Sequence, residues 1–282
     1  MSFPEHYGPA ISLHDVLSRH PFNDIPLDVA ALAIACSFCS RVDIKATLKK
    51  IDQLAEEAAR VAGPMPTEER LVSALKAVLF RQHGFQGNCE NYYAPENSFL
   101  NCVLETRRGI PISLSLLMIE VGRRLNLPLV GIGLPCHFVV GLHQEEKIRF
   151  FDPFHGGVER TREECTQLAN VLSGGSVAVT ECHFMPLPRP LFLTRMLANL
   201  RSIYRQRSDT RNLATTLRHL LLLAPGDPNI HFELSLALIE LGQLALASNH
   251  LTVCEELAAS TECDLPLADV RKKLVKVMAL MN

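Results

Sequence analysis

Three short runs of β-type sequence lie between two long stretches of helical periodicity, and this change of pattern limits the folds open to the chain. The runs are PLVGIGL, HFVVGLH and KIRFFDPF, at residues 128–134, 137–143 and 147–154. On both sides of them apolar residues recur at spacings of three and four, which is typical of amphipathic helices. The sequence therefore predicts an α+β protein with a small central sheet, in which the QEE segment between the last two runs connects an antiparallel hairpin.

The helix before the first β-type run has clear local signals. Pro111 suits the first helical turn, where its missing N–H would have no intrahelical partner. The apolar pattern then predicts a helix over residues 112–125, with Arg123 and Arg124 near the negative end of its dipole. This helix leads directly into the predicted sheet.

The length predicts two domains. A chain of 282 residues with 48% hydrophobic residues builds a substantial core and is read more easily as two domains than as one. The first domain is predicted over residues 1–185, helical over 1–85 and with an α+β core over 86–185. The proline-rich segment MPLPRPL, residues 185–191, predicts a junction, and a helical domain follows over residues 192–282.

The second domain contains one strong candidate for a helical-hairpin repeat. The segment LAPGDPNIHFELSLALIELGQLALASNHL, residues 223–251, places PGDP before a helix and Gly242 at a hairpin turn. It resembles a tetratricopeptide repeat. Residues 208–224 form a weaker neighbour, and residues 267–281 predict a closing helix. An ordinary helical bundle is the alternative. His219, His231 and His250 share no metal-ligand spacing and are predicted at surface or groove positions.

Charge and composition argue against several classes of function. The net charge of −2 and the absence of tryptophan give no support for nucleic-acid binding, and no DNA-reading motif is visible. The chain starts without a secretory signal and contains no apolar segment of about 18 residues, so we expect a cytoplasmic protein without a membrane partner. The nine cysteines follow no disulfide framework. Cys36 and Cys39 are predicted as small core residues on one helical face.

His137 and Asp152 are the best candidates for catalytic side chains. If the hairpin turn centres on Gln144 and Glu145, residues whose numbers sum to 289 face each other, and His137 then lies opposite Asp152. A carboxylate beside an imidazole is the lower half of a Cys-His-Asp or Ser-His-Asp arrangement. The structural alternative is that Asp152 and Pro153 open the turn DPFHGG, while His137 is a half-buried strand residue. His155, within that turn, is interpreted as part of its chain reversal.

The block NSFLNCVLETRRGIPISLSLLMIEVGRRLNLPLVGIGLPCHFVV, residues 97–140, together with FFDPFHGG, resembles the SirB-type transglutaminase-like proteins of bacteria. The resemblance implies a papain-like core after N-terminal helices, followed by C-terminal tetratricopeptide repeats. It places the family's histidine on His137 and its aspartate on Asp152. The position of the catalytic cysteine falls on Pro111, which offers no nucleophile. The resemblance therefore implies that crosslinking chemistry was lost, and it suggests a role in regulating gene expression.

Other nucleophiles remain open. Ser113 lies in the first turn of the same helix, although a serine there more often bonds the backbone. Cys136 precedes His137, but neighbouring side chains on an extended strand face opposite ways. Asn101, Pro111 and Cys136 are assigned to the pocket around the pair. Cys89 and Cys102, in the preceding segment, have no placement from sequence.

The favoured prediction is a non-catalytic interaction protein that binds a protein or peptide segment through its C-terminal helical repeats. No cofactor and no metal are expected, and the sequence carries no signal for the oligomeric state. The competing prediction is a hydrolase or acyl transferase that uses His137 and Asp152 with Ser113 or a nearby cysteine. A third possibility is a ligand pocket that remains at the former active site without turnover.

Overall fold

The computed structural model of the protein describes residues 11–144, 147–261 and 264–280. The chain divides between Met196 and Leu197 into two compact units. The helices of the first unit are α1 Leu13–Arg19, α2 Leu27–Cys36, α3 Ile44–Ala62, α4 Glu68–Lys76, α5 Leu100–Thr106, α6 Pro111–Arg124 and α7 Arg162–Ser173. Its strands are β1 Gln86–Gly87, β2 Arg108–Gly109, β3 Leu129–Ile132, β4 Val139–Gln144, β5 Lys147–Asp152 and β6 Val158–Arg160. An α+β architecture is thus confirmed.

Helix α6 is the centre of the first unit. Residues 111–122 are all buried, because α6 packs against α2 and α3 as well as against β3 and β4. The predicted helix is confirmed to within one residue, and Pro111 occupies its first position. Helix α6 is buried on all sides and not only on one face. Glu120 therefore lies inside the unit, with 2% of the residue exposed.

The sheet is an antiparallel meander in the order β3-β4-β5-β6. Gln144 pairs with Lys147 and Val140 with Phe151, so paired numbers sum to 291 and Asp152 ends β5 one step beyond that last pair. The predicted direct pairing of His137 with Asp152 is therefore wrong by two residues. The predicted turn centre, Gln144 and Glu145, falls partly on residues 145–146, which lie outside the described residues. A shift of two residues keeps every side chain on its predicted face.

The CxxC segment differs from its prediction. Helix α2 ends at Cys36, because the N–H groups of Phe38 and Cys39 both bond the carbonyl of Ala35 and close the chain into a turn. Cys36 and Cys39 therefore do not share one helical face, and both are half-buried rather than core residues. Ser37 lies at the C-cap of α2.

The boundary between the units differs from the predicted junction. Helix α8, Arg189–Gln206, begins inside the proline-rich segment, and Leu197, where the second unit starts, lies within this helix. Pro190 is compatible with this start, because a proline in the first helical turn costs no intrahelical hydrogen bond. Proline-rich composition was therefore a poor guide to a linker at this point.

All regular secondary structure among the described residues of the second unit is helical. Its remaining helices are α9 Thr210–Leu223, α10 Pro228–Glu240, α11 Leu244–Thr261 and α12 Leu267–Leu280. Asp227 caps α10, Pro228 takes its first position, and Gly242 turns the chain between α10 and α11 with φ of 71°. The predicted hairpin is thus present. Among the described residues, no helix combines the length and the apolar character needed to cross a bilayer.

The histidines of the second unit are not where the sequence predicted them. His219 and His231 are buried, with 9% and 7% of each residue exposed. The Nδ1 atoms of His231 and His250 lie 3.0 Å apart, and Nε2 of His231 lies 3.0 Å from the carbonyl of Pro225. A carbonyl requires a donor, so Nε2 of His231 carries the proton and Nδ1 of His250 donates to its partner. The pair joins α10 to α11.

Candidate active site

His137 is positioned by a tight turn before β4. Cys136 adopts a left-handed backbone with φ of 55°, which is uncommon for a residue other than glycine. Arg195 on α8 donates from Nη2 to the carbonyls of Leu134 and His137, the latter at 2.7 Å, and so holds this turn. The prediction of an extended strand is therefore wrong at Cys136. The two side chains nevertheless separate as predicted, since Cys136 is exposed and His137 is buried.

Asp152 caps a turn at the end of β5 with one of its two carboxylate oxygens. Its Oδ1 accepts a hydrogen bond from the N–H of His155 at 3.3 Å and caps the 3-10 turn Pro153–His155. This cap leaves Oδ2 facing the neighbouring turn that carries His137. The residue is fully buried, so its carboxylate depends on protein groups for its stabilisation. The alternative interpretation of Asp152 as a turn-forming residue is thus also correct.

His137 and Asp152 meet as a diagonal pair. Nε2 of His137 lies 3.1 Å from Oδ2 of Asp152, and the two side chains are 2% and 0% exposed. The ring is not aligned for a hydrogen bond, and Nε2 of His137 has no other hydrogen-bond partner in the described part of the chain. The two side chains are therefore close enough to form an ion pair, but they do not form a well-aligned hydrogen bond.

Two further side chains converge on the same carboxylate oxygen, and sequence reasoning did not assign either to the site. Nδ1 of His155 lies 2.7 Å from Oδ2 of Asp152, and Nε of Arg160 donates to the same oxygen at 2.8 Å. His155 is reached because the 3-10 turn brings residues three apart together. A signal existed for His155 in the Asp-x-x-His spacing. Arg160 lies on β6, a strand that the sequence did not predict.

The neighbours of Asp152 control its ionisation. Burial by itself would raise the pKa of this carboxyl, but His137 and His155 outweigh burial and hold the pKa of Asp152 well below its usual range. The carboxylate is therefore ionised at neutral pH. Its contribution to stability is present above the unfolded pKa of about 4 and is lost as the pH falls below that value.

The start of α6 lacks a free nucleophile. Pro111 is its first residue and is buried. The hydroxyl of Ser113 donates to the carbonyl of Asn97 at 2.6 Å and accepts from the N–H of Ile110 at 3.1 Å. Ser113 therefore bonds the backbone, as a serine at this position commonly does. It supports the turn into the helix, and it would have to give up both bonds to act on a substrate.

The other residues assigned to the pocket have separate surroundings. Asn101 on α5 is buried, and the side chains of Cys102 and Asn101 lower the pKa of the Cys39 thiol. Cys89 and Cys136 are exposed. The structure thus brings His137 and Asp152 together and places Pro111 at the start of α6. Cys102 and Asn101 belong instead to a contact group with the residues after α2.

Aromatic side chains cover the pair. The ring of Phe154 meets that of His137 edge-on at 6.2 Å and that of Tyr92 at 6.0 Å. Gly87 on β1 leaves room for this ring, because a Cβ at that position would lie 2.5 Å from Phe154. The pair is therefore shielded by Phe154, while His155, with 43% of its side chain exposed, faces solvent.

The site also has the composition of a metal-binding group. One ligand-type atom from each of His137, Asp152 and His155 lies within 4.8 Å of the other two. Two imidazoles and a carboxylate form a common donor set for transition metals.

A family model and several curated proteins match this chain. Residues 45–198 match the model of the transglutaminase-like superfamily. A UPF0162 protein of Xylella fastidiosa is 37% identical over 194 residues, which cover 67% of this chain and 69% of the relative. A UPF0162 protein of Vibrio cholerae is 28% identical over 75% of this chain and 78% of its own length. The human F-box only protein 21 is 33% identical over 109 residues, 36% of this chain and 17% of that protein.

Proposed function

Because the chain belongs to the transglutaminase-like superfamily, we propose that it is a non-catalytic member whose function is to bind a protein segment. It is of the SirB type in this proposal, with a degenerate transglutaminase-like domain before tetratricopeptide-like repeats, and it works in the cytoplasm as a regulatory protein. The observation that carries the proposal is Pro111. The family resemblance assigns the nucleophile to this position, and a proline ring has no atom that could attack a substrate.

The groups around Pro111 support the same conclusion. A thiolate nucleophile is stabilised by a helix N-terminus and a nearby imidazole. Here the helix and the imidazole of His137 are both present, but Ser113 uses its hydroxyl for the bonds to Asn97 and Ile110. Asp152 is shared among His137, His155 and Arg160 instead of serving one imidazole. We therefore assign a structural role to Ser113 and Asp152.

Chemical labelling tests whether a nucleophile is present. We expect fluorophosphonate and iodoacetamide probes to label the purified chain equally in wild type and in His137→Ala. Mass spectrometry of the labelled peptides assigns each modified residue. A labelled serine or cysteine whose modification disappears in His137→Ala would contradict the proposal.

Pro111→Cys is expected to create an activated thiol. The new side chain would lie at the first position of α6, where the helix dipole and the histidine favour the thiolate, so its pKa should fall clearly below the usual value of about 8.5. The measurement is the pH dependence of iodoacetamide alkylation at residue 111, followed by mass spectrometry. Adding His137→Ala should move the pKa back toward the usual value. A pKa near 8.5 with and without His137 would show that the family geometry was not inherited.

The proposed binding function is assigned to the second unit. Helix α12 presents an apolar side chain, Val275, with 60% exposure, between the exposed Lys272 and Lys276. Such a strip suits a partner segment that combines acidic and apolar side chains. Affinity for this segment would come from burying Val275, and its selectivity from the lysines.

Charge reversal on α12 tests this assignment. The full chain is used to co-precipitate partners from native lysate. We expect the double substitution Lys272→Glu and Lys276→Glu to reduce the recovery of a specific partner at least tenfold. The matched control is Lys49→Glu with Lys50→Glu, two exposed lysines on α3. Equal recovery by both double variants would assign binding elsewhere.

A hydrolase or acyl transferase is the second candidate, and the specific observation in its favour is the short distance between His137 and Asp152. That pair can orient an imidazole as a general base. Ser113 would be its nucleophile after losing its two backbone bonds. The labelling experiment distinguishes the two functions, because only this second candidate predicts a modification at Ser113 that depends on His137.

A further inference from the structure

We propose that His137, Asp152 and His155 bind a divalent transition-metal ion of the Zn²⁺ class. The inference rests on the proposed function in one respect, because a histidine that serves no nucleophile is free to act as a ligand. It otherwise goes beyond that function, since metal binding requires no partner segment and no turnover. The three ligand atoms are Nε2 of His137, Oδ2 of Asp152 and Nδ1 of His155.

The distances fit a compact ligand set. Zn²⁺ binds imidazole nitrogen and carboxylate oxygen at about 2.0–2.2 Å in tetrahedral geometry, which places neighbouring ligand atoms roughly 3.3 Å apart. The His137 to Asp152 distance is 3.1 Å, and the His155 to Asp152 distance is 2.7 Å. Only the second must lengthen appreciably. His155 has 43% of its side chain exposed, so it is able to adjust, and it provides the access path from solvent.

The state of His137 points to a missing ligand. The residue is only 3% exposed, and its buried Nε2 has no hydrogen-bond partner among the described atoms. A buried polar atom without a hydrogen-bond partner destabilises the fold, because it has lost its contact with water and gained none in return. A cation held between Nε2 of His137 and Oδ2 of Asp152 would satisfy both atoms. The Asp152 cap leaves Oδ2 oriented for this role, because Oδ1 already bonds the turn.

Arg160 competes with the metal. Its Nε lies 2.8 Å from the same Oδ2, so a bound cation has to displace this guanidinium. The displaced side chain has space available, since Arg160 also lines an open cavity of about 650 Å³ whose lining includes Glu159 and Glu164. This competition predicts that two variants of the site will change metal affinity in opposite directions.

The test is a titration of the full-length chain with Zn²⁺ by calorimetry after chelator treatment. We expect one equivalent to bind, His155→Ala to weaken it by at least tenfold, and Arg160→Gln to tighten it by about tenfold, in line with known effects of changes around metal sites. His143→Ala is the matched control, because this histidine is exposed on β4 of the same sheet. It should bind like wild type.

Co²⁺ substitution identifies the ligands independently of affinity. Coordination by nitrogen and oxygen alone gives visible bands without the intense near-ultraviolet absorption that thiolates produce, and His155→Ala should alter those bands. Zn²⁺ affinity that is the same in wild type, His155→Ala and Arg160→Gln would overturn the proposal, as would binding weaker than about 1 mM or a thiolate spectrum. None of these results would affect the labelling of residue 111, so failure here is distinguishable from failure of the proposed function.

Discussion

Asp152→Ala is expected to lower the free energy of unfolding of the first unit by about 3–5 kcal/mol, the usual cost of removing one member of a buried charged pair. The carboxylate is fully buried and faces His137, His155 and Arg160. Its removal leaves the arginine without a counter-ion and the 3-10 turn without a cap. Asp152 should therefore be among the most sensitive positions of the chain.

Chemical denaturation followed by circular dichroism measures this effect, since the protein contains no tryptophan. Asp43→Ala is the matched control, because Asp43 also caps a helix with its carboxylate but is exposed. Loss of an exposed cap costs about 1 kcal/mol. Equal losses in the two variants would mean that Asp152 acts only as a cap and that its contacts with His137 and Arg160 add nothing.

Glu120→Gln is expected to make the first unit more stable than wild type by up to about 3 kcal/mol at pH 8, with the difference vanishing near pH 4.5. Burial within α6, together with the nearby carboxylate of Asp28, raises the pKa of Glu120 to about 7. Between pH 4.5 and 7 the folded state therefore holds a proton that the unfolded state has lost. Wild type loses stability across that interval as the pH rises, and glutamine has no such proton to lose.

The surroundings of Glu120 make glutamine a suitable replacement. Its carboxylate accepts from Nε of Arg123 at 2.7 Å and lies 3.3 Å from Nη1 of Arg124, and an amide oxygen is able to accept the same bonds. Both arginines also contact Asp28, at 3.2 and 3.0 Å. The variant thus removes one of two buried negative charges, and both arginines keep a hydrogen-bond acceptor.

The effect of Glu120 has to be read from the difference between the stability curves of wild type and Glu120→Gln. A second buried group changes the stability of the wild type with pH in the opposite direction. Burial lowers the pKa of His219, in the second unit, to about 4. A histidine that stays neutral in the fold adds stability as the pH rises from 4 toward 6.5. Stability curves of wild type, Glu120→Gln and His219→Gln from pH 4 to 8 separate the two effects. Parallel curves for wild type and Glu120→Gln would show that folding does not raise the pKa of Glu120.

Local patterns were sufficient to predict several helix starts and turns. Asp43 and Thr67 cap their helices as capping preferences imply, and Pro111 begins α6. Gly242 turns the chain with the positive φ that glycine tolerates. These features depend on interactions within a few residues, so the sequence contains the information needed to predict them.

The hairpin shows where that information ends. The alternation of apolar residues placed His137 and Asp152 on the same face correctly, because a side-chain period of two survives a register shift of two. Which residues pair depends on the turn and on the packing of the sheet against α6. Pairing of Gln144 with Lys147 moved Asp152 opposite Val139, so its contact with His137 is diagonal.

The tertiary structure decided which side chains meet at the site. The family resemblance and residue chemistry identified His137, Asp152 and the proline at position 111 from the chain alone, since these depend only on which residue stands where. The addition of His155 and Arg160 required the 3-10 turn and strand β6 to fold onto the same carboxylate. The burial of Nε2 of His137 required Phe154 and the turn held by Arg195. Distances between groups that are remote in sequence depend on how whole helices and strands pack. The spacing of residues along the chain does not specify that packing.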